Sequence, residues 1–244
     1  MATFTIKIAG VPVELETQIL PQDYLFSRYL CDEEPAFRIV SSPEEMERMK
    51  RAMGYVPQSD AAYEYITLLM LLAKELLSRD ILLIHGSAVA VDGEAYIFSA
   101  LGGTGKSTHV SLWRKMLPEL GHEVKMINDD KPLLRFEGNT VYACGSPWSG
   151  KHFLDSNIEV PLRGLCFLER GKENRIEHLP PVDVMPRLLL HAYRPLRDPG
   201  LIGKAISLYD RLANRVPAYV LKCNMEPEAA VVAYEGMRPK PEAR

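Results

Sequence analysis

The chain has 244 residues, 47% of them hydrophobic and 25% charged, with a formal net charge of −3 at pH 7. This is the composition of an ordinary globular protein, long enough for one large domain or one domain with a small appendage. So slight an acidity supplies no broad attraction for nucleic acid or anionic lipid, and neither is an expected partner. The four cysteines (Cys31, Cys144, Cys166, Cys223) stand far apart, without Cys-x-x-Cys spacing. They read as idle or buried thiols in a reducing, cytoplasmic setting. Met1 to Gly10 lacks the basic start and apolar run of a signal peptide. The most apolar window, Ile66 to Ala73, is too short to span a membrane.

In chain order, Thr3 to Ile8 and Val11 to Leu15 alternate about Ala9-Gly10 as the strands of a hairpin do. Tyr24 to Leu30 and Phe37 to Val40 are weaker strand candidates. Residues 1–57 are therefore expected to form a small sheet-containing accessory subdomain, serving as a structural cap or in substrate recognition. Ser42-Pro43-Glu44-Glu45 predicts a helix start, with Ser42 as N-cap and Glu45 completing a capping box, and the helix should end near Gly54. Ser59-Asp60 caps a second helix running to about Arg79. Its positions Ile66, Leu69, Met70, Ala73, Leu76 and Leu77 follow helical spacing, so one face should be buried as scaffold. Residues 58–236 are expected to form the core, with 237–244 a polar tail.

Two strand-like runs, His85 to Val91 and Glu94 to Ser99, are joined by Asp92-Gly93, the strongest short hairpin signal. Next comes Ala100-Leu101-Gly102-Gly103-Thr104-Gly105-Lys106-Ser107-Thr108, which fits the phosphate-loop pattern Ala/Gly-x-x-x-x-Gly-Lys-Ser/Thr. Gly102, Gly103 and Gly105 let backbone N–H groups converge on phosphate oxygens. Lys106 places a cation on the β- and γ-phosphates, and the Ser107 hydroxyl can ligand Mg²⁺. A helix from Lys106 to Leu117, stopped by Pro118, would add the positive end of its dipole. An antiparallel hairpin feeding such a loop differs from the usual parallel βαβ setting. Val124 to Asn128 reads as a short strand ending in Asp129-Asp130, and paired acids there suit Mg²⁺ binding and activation of a hydroxyl.

Leu133 to Phe136 and Val141 to Cys144 predict a second hairpin, followed by the loop Gly145 to His152. Trp148, Lys151 and His152 give that loop a flat apolar surface, a cation and a titratable base. It reads either as a wall of the site facing the acceptor or as a surface loop with a half-buried tryptophan. Leu162 to Leu168 and Arg175 to Leu179 are strands about a turn at 170–174. Asp183 can cap a helix holding Met185 to Tyr193, and Pro199 to Ala213 suits another. Ala218 to Cys223 is a strand, Pro227 to Tyr234 a last helix, and Gly236 onward a frayed tail. Arg163, Arg187 and Arg194 are candidate phosphate clamps, in competition with ordinary ion pairs. No His/Cys cluster has zinc spacing.

His85-Gly86-Ser87, a hairpin, Gly103-Thr104-Gly105-Lys106-Ser107 and then Asp129-Asp130 together resemble the kinase domain of HPr kinase/phosphorylase and its relatives. These include small kinases found with ribosomal peptide biosynthesis and, more distantly, phosphoenolpyruvate carboxykinase. The resemblance spans roughly Leu82 to Ala233. It implies an α+β fold of the phosphoenolpyruvate-carboxykinase-like type, with a mixed, partly antiparallel sheet carrying the P-loop. It further implies that Lys106 and Ser107 hold ATP and Mg²⁺, that Asp129 and Asp130 share metal binding and acid/base work, and that His85 sits beside them. Related kinases also carry a Gly-x-Pro-aromatic-x-Gly-like segment where Gly145 to Gly150 stand. Three departures are visible: Ala100 replaces the first loop glycine, Gly102 stands where HPr kinases usually carry serine, and Cys166 interrupts the signature begun by Arg163-Gly164-Leu165. The likeness is thus to the superfamily more than to the HPr-specific enzymes. The expected activity is Mg²⁺-dependent transfer of the γ-phosphoryl of ATP to a hydroxyl, on a serine of a peptide or protein or on a small molecule. The alternative is a nucleotide-binding regulatory protein or NTPase without an acceptor. HPr kinases are hexamers, so the resemblance also allows a homo-oligomer.

Overall fold

The computed structural model describes residues 1–22, 25–56, 58–195 and 198–238, which build a mixed α+β protein around two sheets. In the first, β1 (Ala2–Ile8) and β2 (Val11–Thr17) form an antiparallel hairpin about Ala9 and Gly10, both at positive φ. That primed-turn geometry matches the twist of the strands. β3 (Phe37–Val40) joins β2 in parallel. Alternation puts Phe4, Ile6, Ile8, Val13 and Leu15 inward. The strand expected over Tyr24 to Leu30 is not there. Tyr24 lies outside the described residues, and Ser27–Tyr29 is a turn of 3₁₀ helix. Phe26 and Tyr29, three apart, both reach the core, so a three-residue period overrides the two-residue one.

α1 (Pro43–Ala52) starts at Ser42, whose hydroxyl accepts from the Glu45 N–H. The Glu45 side chain pairs with Arg48 instead of closing a capping box. α2 (Asp60–Leu77) starts at Ser59 as predicted, and Leu69, Ala73, Leu76 and Leu77 are buried as expected. Ile66 and Met70 are only half-buried, and Leu68 and Leu72 are enclosed in addition. The helix is wedged between the two sheets, so the stripe is turned toward both. Glu64 is fully buried on it and accepts from the N–H groups of Gln18, Ile19 and Leu20 and from the Ser41 hydroxyl. One carboxylate thereby ties the end of β2 to α2.

The second sheet has nine strands. β4 (Ile81–Leu83) lies at one edge, and β5 (Ser87–Val91) and β6 (Glu94–Ser99) form the predicted antiparallel hairpin. Its turn residues Asp92 and Gly93 both have positive φ, as the two-residue primed turn requires. α3 (Lys106–Glu119) follows and runs through Pro118 to end one residue later rather than stopping before it. β7 (Val124–Asn128) pairs with β5, while β8 (Leu133–Glu137) and β9 (Thr140–Cys144) form the second predicted hairpin. β10 (Glu159–Arg170) bridges the halves, antiparallel to β9 at its start and parallel to β6 further on. β11 (Arg175–Leu179) does not pair back onto β10 as expected.

α4 (Pro181–His191) begins at Pro181, so Asp183 sits in its first turn and makes no cap. α5 (Pro199–Arg215) and β12 (Ala218–Cys223) follow, and β12 inserts between β10 and β11. The more apolar strand takes the interior, leaving the largely exposed β11 at the edge. α6 (Glu228–Met237) continues past Gly236, with Met237 buried, so the frayed end expected from Gly236 is helix; residues 239–244 lie outside the described residues. Successive residues of the β5–β6 hairpin face opposite ways. Val89, Val91, Tyr96 and Phe98 pack under α3 and α6, and Ala88, Ala90, Ala95 and Ile97 under α4 and α5. Among the described residues no helix is long and apolar enough to cross a membrane, and all four cysteines are free.

Candidate functional site

The loop between β6 and α3 takes its shape from two glycines, Gly103 at φ 76° and Gly105 at φ 109°. Gly105 is the left-handed N-cap of α3 and offers no side-chain cap. The first N–H groups of the helix therefore remain available to an anion. Gly102, Ser107 and Thr108 are exposed, and Thr104 and Lys106 half-buried. Burial lowers the pKa of Lys106, opposed by the nearby Asp130 carboxylate.

His85 and Ser87 lie against the acid pair through backbone and side chain alike. The Gly86 N–H donates to Asp130 O, and the Ser87 hydroxyl to Asp129 O. Asn128, fully buried, shapes the turn: its Oδ1 accepts from the N–H groups of Asp130 and Lys131 at 2.8 and 2.6 Å, and its Nδ2 donates to Ser146 and Trp148 carbonyls. The two acids then part. Asp130 Oδ1 stands 3.1 Å from His85 Nε2 and 3.6 Å from Lys106 Nζ, with Lys131 Nζ 2.9 Å from its other oxygen. Burial alone would raise its pKa, but hydrogen bonds from His85 and Lys131 and the charges of Lys131 and Lys106 hold it well below the usual range. Asp129 turns the other way, accepts from the Gly150 N–H, and has its pKa raised, chiefly by burial and then by Asp130. It lines a cavity of about 400 Å³ with Ser107, Ser87, Arg114 and His152.

The loop at 145–152 is only partly as expected. His152 lines the Asp129 cavity, and Lys151 is exposed nearby. Trp148 is no wall of the site: it is fully buried, donates Nε1–H to the Tyr65 carbonyl at 2.9 Å, and packs on Phe26 and Tyr65. It anchors the loop to α2 and the first sheet. Of the three candidate arginines, Arg187 pairs with Glu169 at 3.1 Å beside Leu101 and Thr104. Arg194 is exposed, and Arg163 has a buried Nε without a partner.

Sequence reasoning missed several residues here. Arg170 Nη2 donates to Gly103 O at 2.6 Å, pinning the loop from β10. A cavity of about 540 Å³ beside the loop is lined by Thr108, His109, Arg170, Cys223 and Met225. Burial lowers the pKa of His109 to about 4. Its Nε2 therefore accepts from Trp113 Nε1–H at 3.0 Å. Thr108 was expected at the loop and His109 follows it on α3, whereas Arg170, Cys223 and Met225 have no local signature because distant chain brings them there.

No family model matches the chain, and no curated protein does. Among solved structures, the Hpr(Ser) kinase/phosphatase from Coxiella burnetii is similar at 12% identity and a TM-score of 0.37, over 63% of this chain and 89% of that one. This is a distant likeness of fold.

Proposed function

We propose that the chain is a Mg²⁺-dependent kinase that moves the γ-phosphoryl of ATP to a hydroxyl, most simply a serine of a peptide or protein. The observation that carries this reading is Asp130, whose carboxylate stands 3.6 Å from the loop lysine Lys106 and 3.1 Å from His85. A nucleotide-binding loop alone needs an acid only for Mg²⁺; phosphoryl transfer to a hydroxyl also needs one as base.

In this reading Gly102 to Thr108 hold the phosphates and Lys106 places its charge on them. Ser107 and Asp129, on one cavity wall, are the residues that would hold Mg²⁺. Among the described residues no group of three or more His, Cys, Asp or Glu could do so unaided. Phosphate oxygens and water complete the shell of this ion in such sites, and when bound it neutralises phosphate charge. The acceptor oxygen forms its bond to the γ-phosphorus as the bond to the β-phosphate oxygen breaks, and its proton passes to Asp130, braced by His85. Asp130 starts as a weak base because Lys106 and Lys131 face it and His85 hydrogen-bonds it. As Lys106 engages phosphate and negative charge enters the loop, its affinity for a proton rises. Incubation with ATP, Mg²⁺ and serine-bearing peptides tests the reading by phosphopeptide mass spectrometry. Nucleotide binding or hydrolysis with no phosphorylated acceptor would favour a regulatory NTPase instead.

A further inference from the structure

A second opening lies on the side of Asp130 away from the phosphate loop. It has a volume of about 610 Å³ and runs between Leu20, Pro21 and Leu25 on one side, the first turns of α2 and the loop at 149–153. Leu20, Leu25, Ala62 and Tyr65 make its walls apolar, and half-buried Asp130 and exposed Lys151 also line it. Resting on the kinase reading above, we propose that this groove seats the acceptor. Its occupant is a polypeptide segment whose hydroxyl residue is flanked by a large aliphatic or aromatic side chain, with an acidic group reaching Lys151.

Three observations support that occupant. Asp130 belongs both to the groove and to the loop side, where His85 and Lys106 face it. A chain lying in the groove therefore presents its hydroxyl to the carboxylate that meets the phosphates. The walls offer little to a free polar metabolite but would bury one or two apolar side chains. Charge gives the third. Asp130 is already offset by Lys106 and Lys131, whereas Lys151 has no ion-pair or hydrogen-bond partner among the described residues. The groove thus carries an uncompensated cation, complementary to an acidic residue or terminal carboxylate. The wall is also tied to the reacting centre: the Tyr65 hydroxyl donates to the carbonyls of Pro147 and Ser149, one residue before the glycine that holds Asp129.

The test uses the full chain and fluorescein-labelled heptapeptides with a central serine, flanked by leucine, phenylalanine, alanine or lysine, with or without an outer glutamate. Binding is read by anisotropy and phosphorylation by mass spectrometry. Leucine- and phenylalanine-flanked peptides should bind about 10–100-fold more tightly than the alanine-flanked one, the worth of burying one such side chain. Ala62→Glu puts a charge on the wall in the first turn of α2, where helices tolerate acids, and should abolish that preference. Leu25→Ala deepens the opposite wall and should shift selectivity from leucine toward phenylalanine, a gain that misfolding cannot imitate. Lys151→Glu should reverse the preference for the outer glutamate. Equal binding of all flanks, selectivity untouched by Ala62→Glu and Leu25→Ala, or equally efficient transfer to free serine would overturn the proposal. So would sedimentation showing a dimer that Ala62→Glu dissociates, because a second copy would then occupy the groove. Binding needs no turnover, so the two readings fail separately. Flank-selective binding without any phosphopeptide sinks the kinase, and phosphorylation indifferent to flanks sinks the groove.

Discussion

The N–H of Gly150 donates to the Asp129 carboxylate, and a β-carbon at position 150 would stand 2.9 Å from Asp129 Oδ2. The glycine is required by this approach and not by its φ. Gly150→Ala should push the carboxylate off its place in the Ser107 cavity while the loop stays anchored by Trp148. A displacement of about 1 Å at a reacting group costs on the order of 10²-fold in rate. Steady-state transfer by this variant should fall by about that factor with the melting temperature little changed. Wild-type turnover would remove Asp129 from the machinery.

Lys106→Ala should abolish nucleotide-dependent turnover in a chain that still folds. A charge clamping phosphate is worth on the order of 10²–10³ in rate. Lys106 also sits half-buried beside Asp130, so its loss leaves His85 and Lys131 to hold that carboxylate. Near-normal turnover in the folded variant would sink the loop assignment.

What was legible in the sequence followed local rules. Asp92-Gly93 announced its hairpin because only residues tolerant of positive φ make that turn, and Gly105-Lys106-Ser107 announced a helix start open to anions. The misses depend on distant chain. Glu64 reads as a solvated helix position, yet it is fully buried because three N–H groups at 18–20 are delivered to it. β12 displaced β11 from β10 through a pairing that no local pattern specifies. Asn128 looked like the plain end of a strand, although its amide holds the backbone turn at Asp130 and Lys131.

Trp148 is the sharpest such case. In sequence its loop reads as a wall of the site or a surface loop with a half-buried tryptophan, but this side chain is sealed against Phe26 and Tyr65. Trp113 instead bonds His109, which lines the cavity beside Gly103 to Gly105. Nucleotide should therefore change the emission of Trp113. Trp113→Phe should remove the signal and Trp148→Phe keep it, whereas a signal lost only with Trp148 would contradict this arrangement.

Glu64→Ala should destabilise the chain by at least about 2 kcal/mol in urea unfolding, since it strands several buried donors at once. Glu64→Gln should cost less but still register, because an amide replaces one acceptor oxygen with a donor facing N–H groups. Neutral substitution in both variants would mean that water satisfies residues 18–20 equally well.

The acid pair separates kinase from binding module, and its two members carry opposite pH signatures. The folded-state pKa of Asp130 is depressed, so its stabilising contribution is complete above the ordinary aspartate value of 3.8 and is lost as pH falls from there toward the folded value. The folded-state pKa of Asp129 is raised, so the folded chain binds that proton more tightly than the unfolded one, and ionisation above 3.8 works against folding. Urea midpoints between pH 3 and neutrality should accordingly show a flattened acid limb for Asp130→Asn, and for Asp129→Asn no loss of stability at neutral pH. Catalysis should divide along the same line. Asp129→Asn removes the carboxylate that shares a cavity with Ser107 and should weaken Mg²⁺-dependent nucleotide binding. Asp130→Asn should leave binding nearly intact while transfer falls by roughly 10²–10⁴, the range for loss of a general base. If Asp130→Asn transfers normally to an acceptor that the wild type phosphorylates, the base lies elsewhere. If Asp129→Asn alone abolishes transfer with binding intact, the two roles are exchanged.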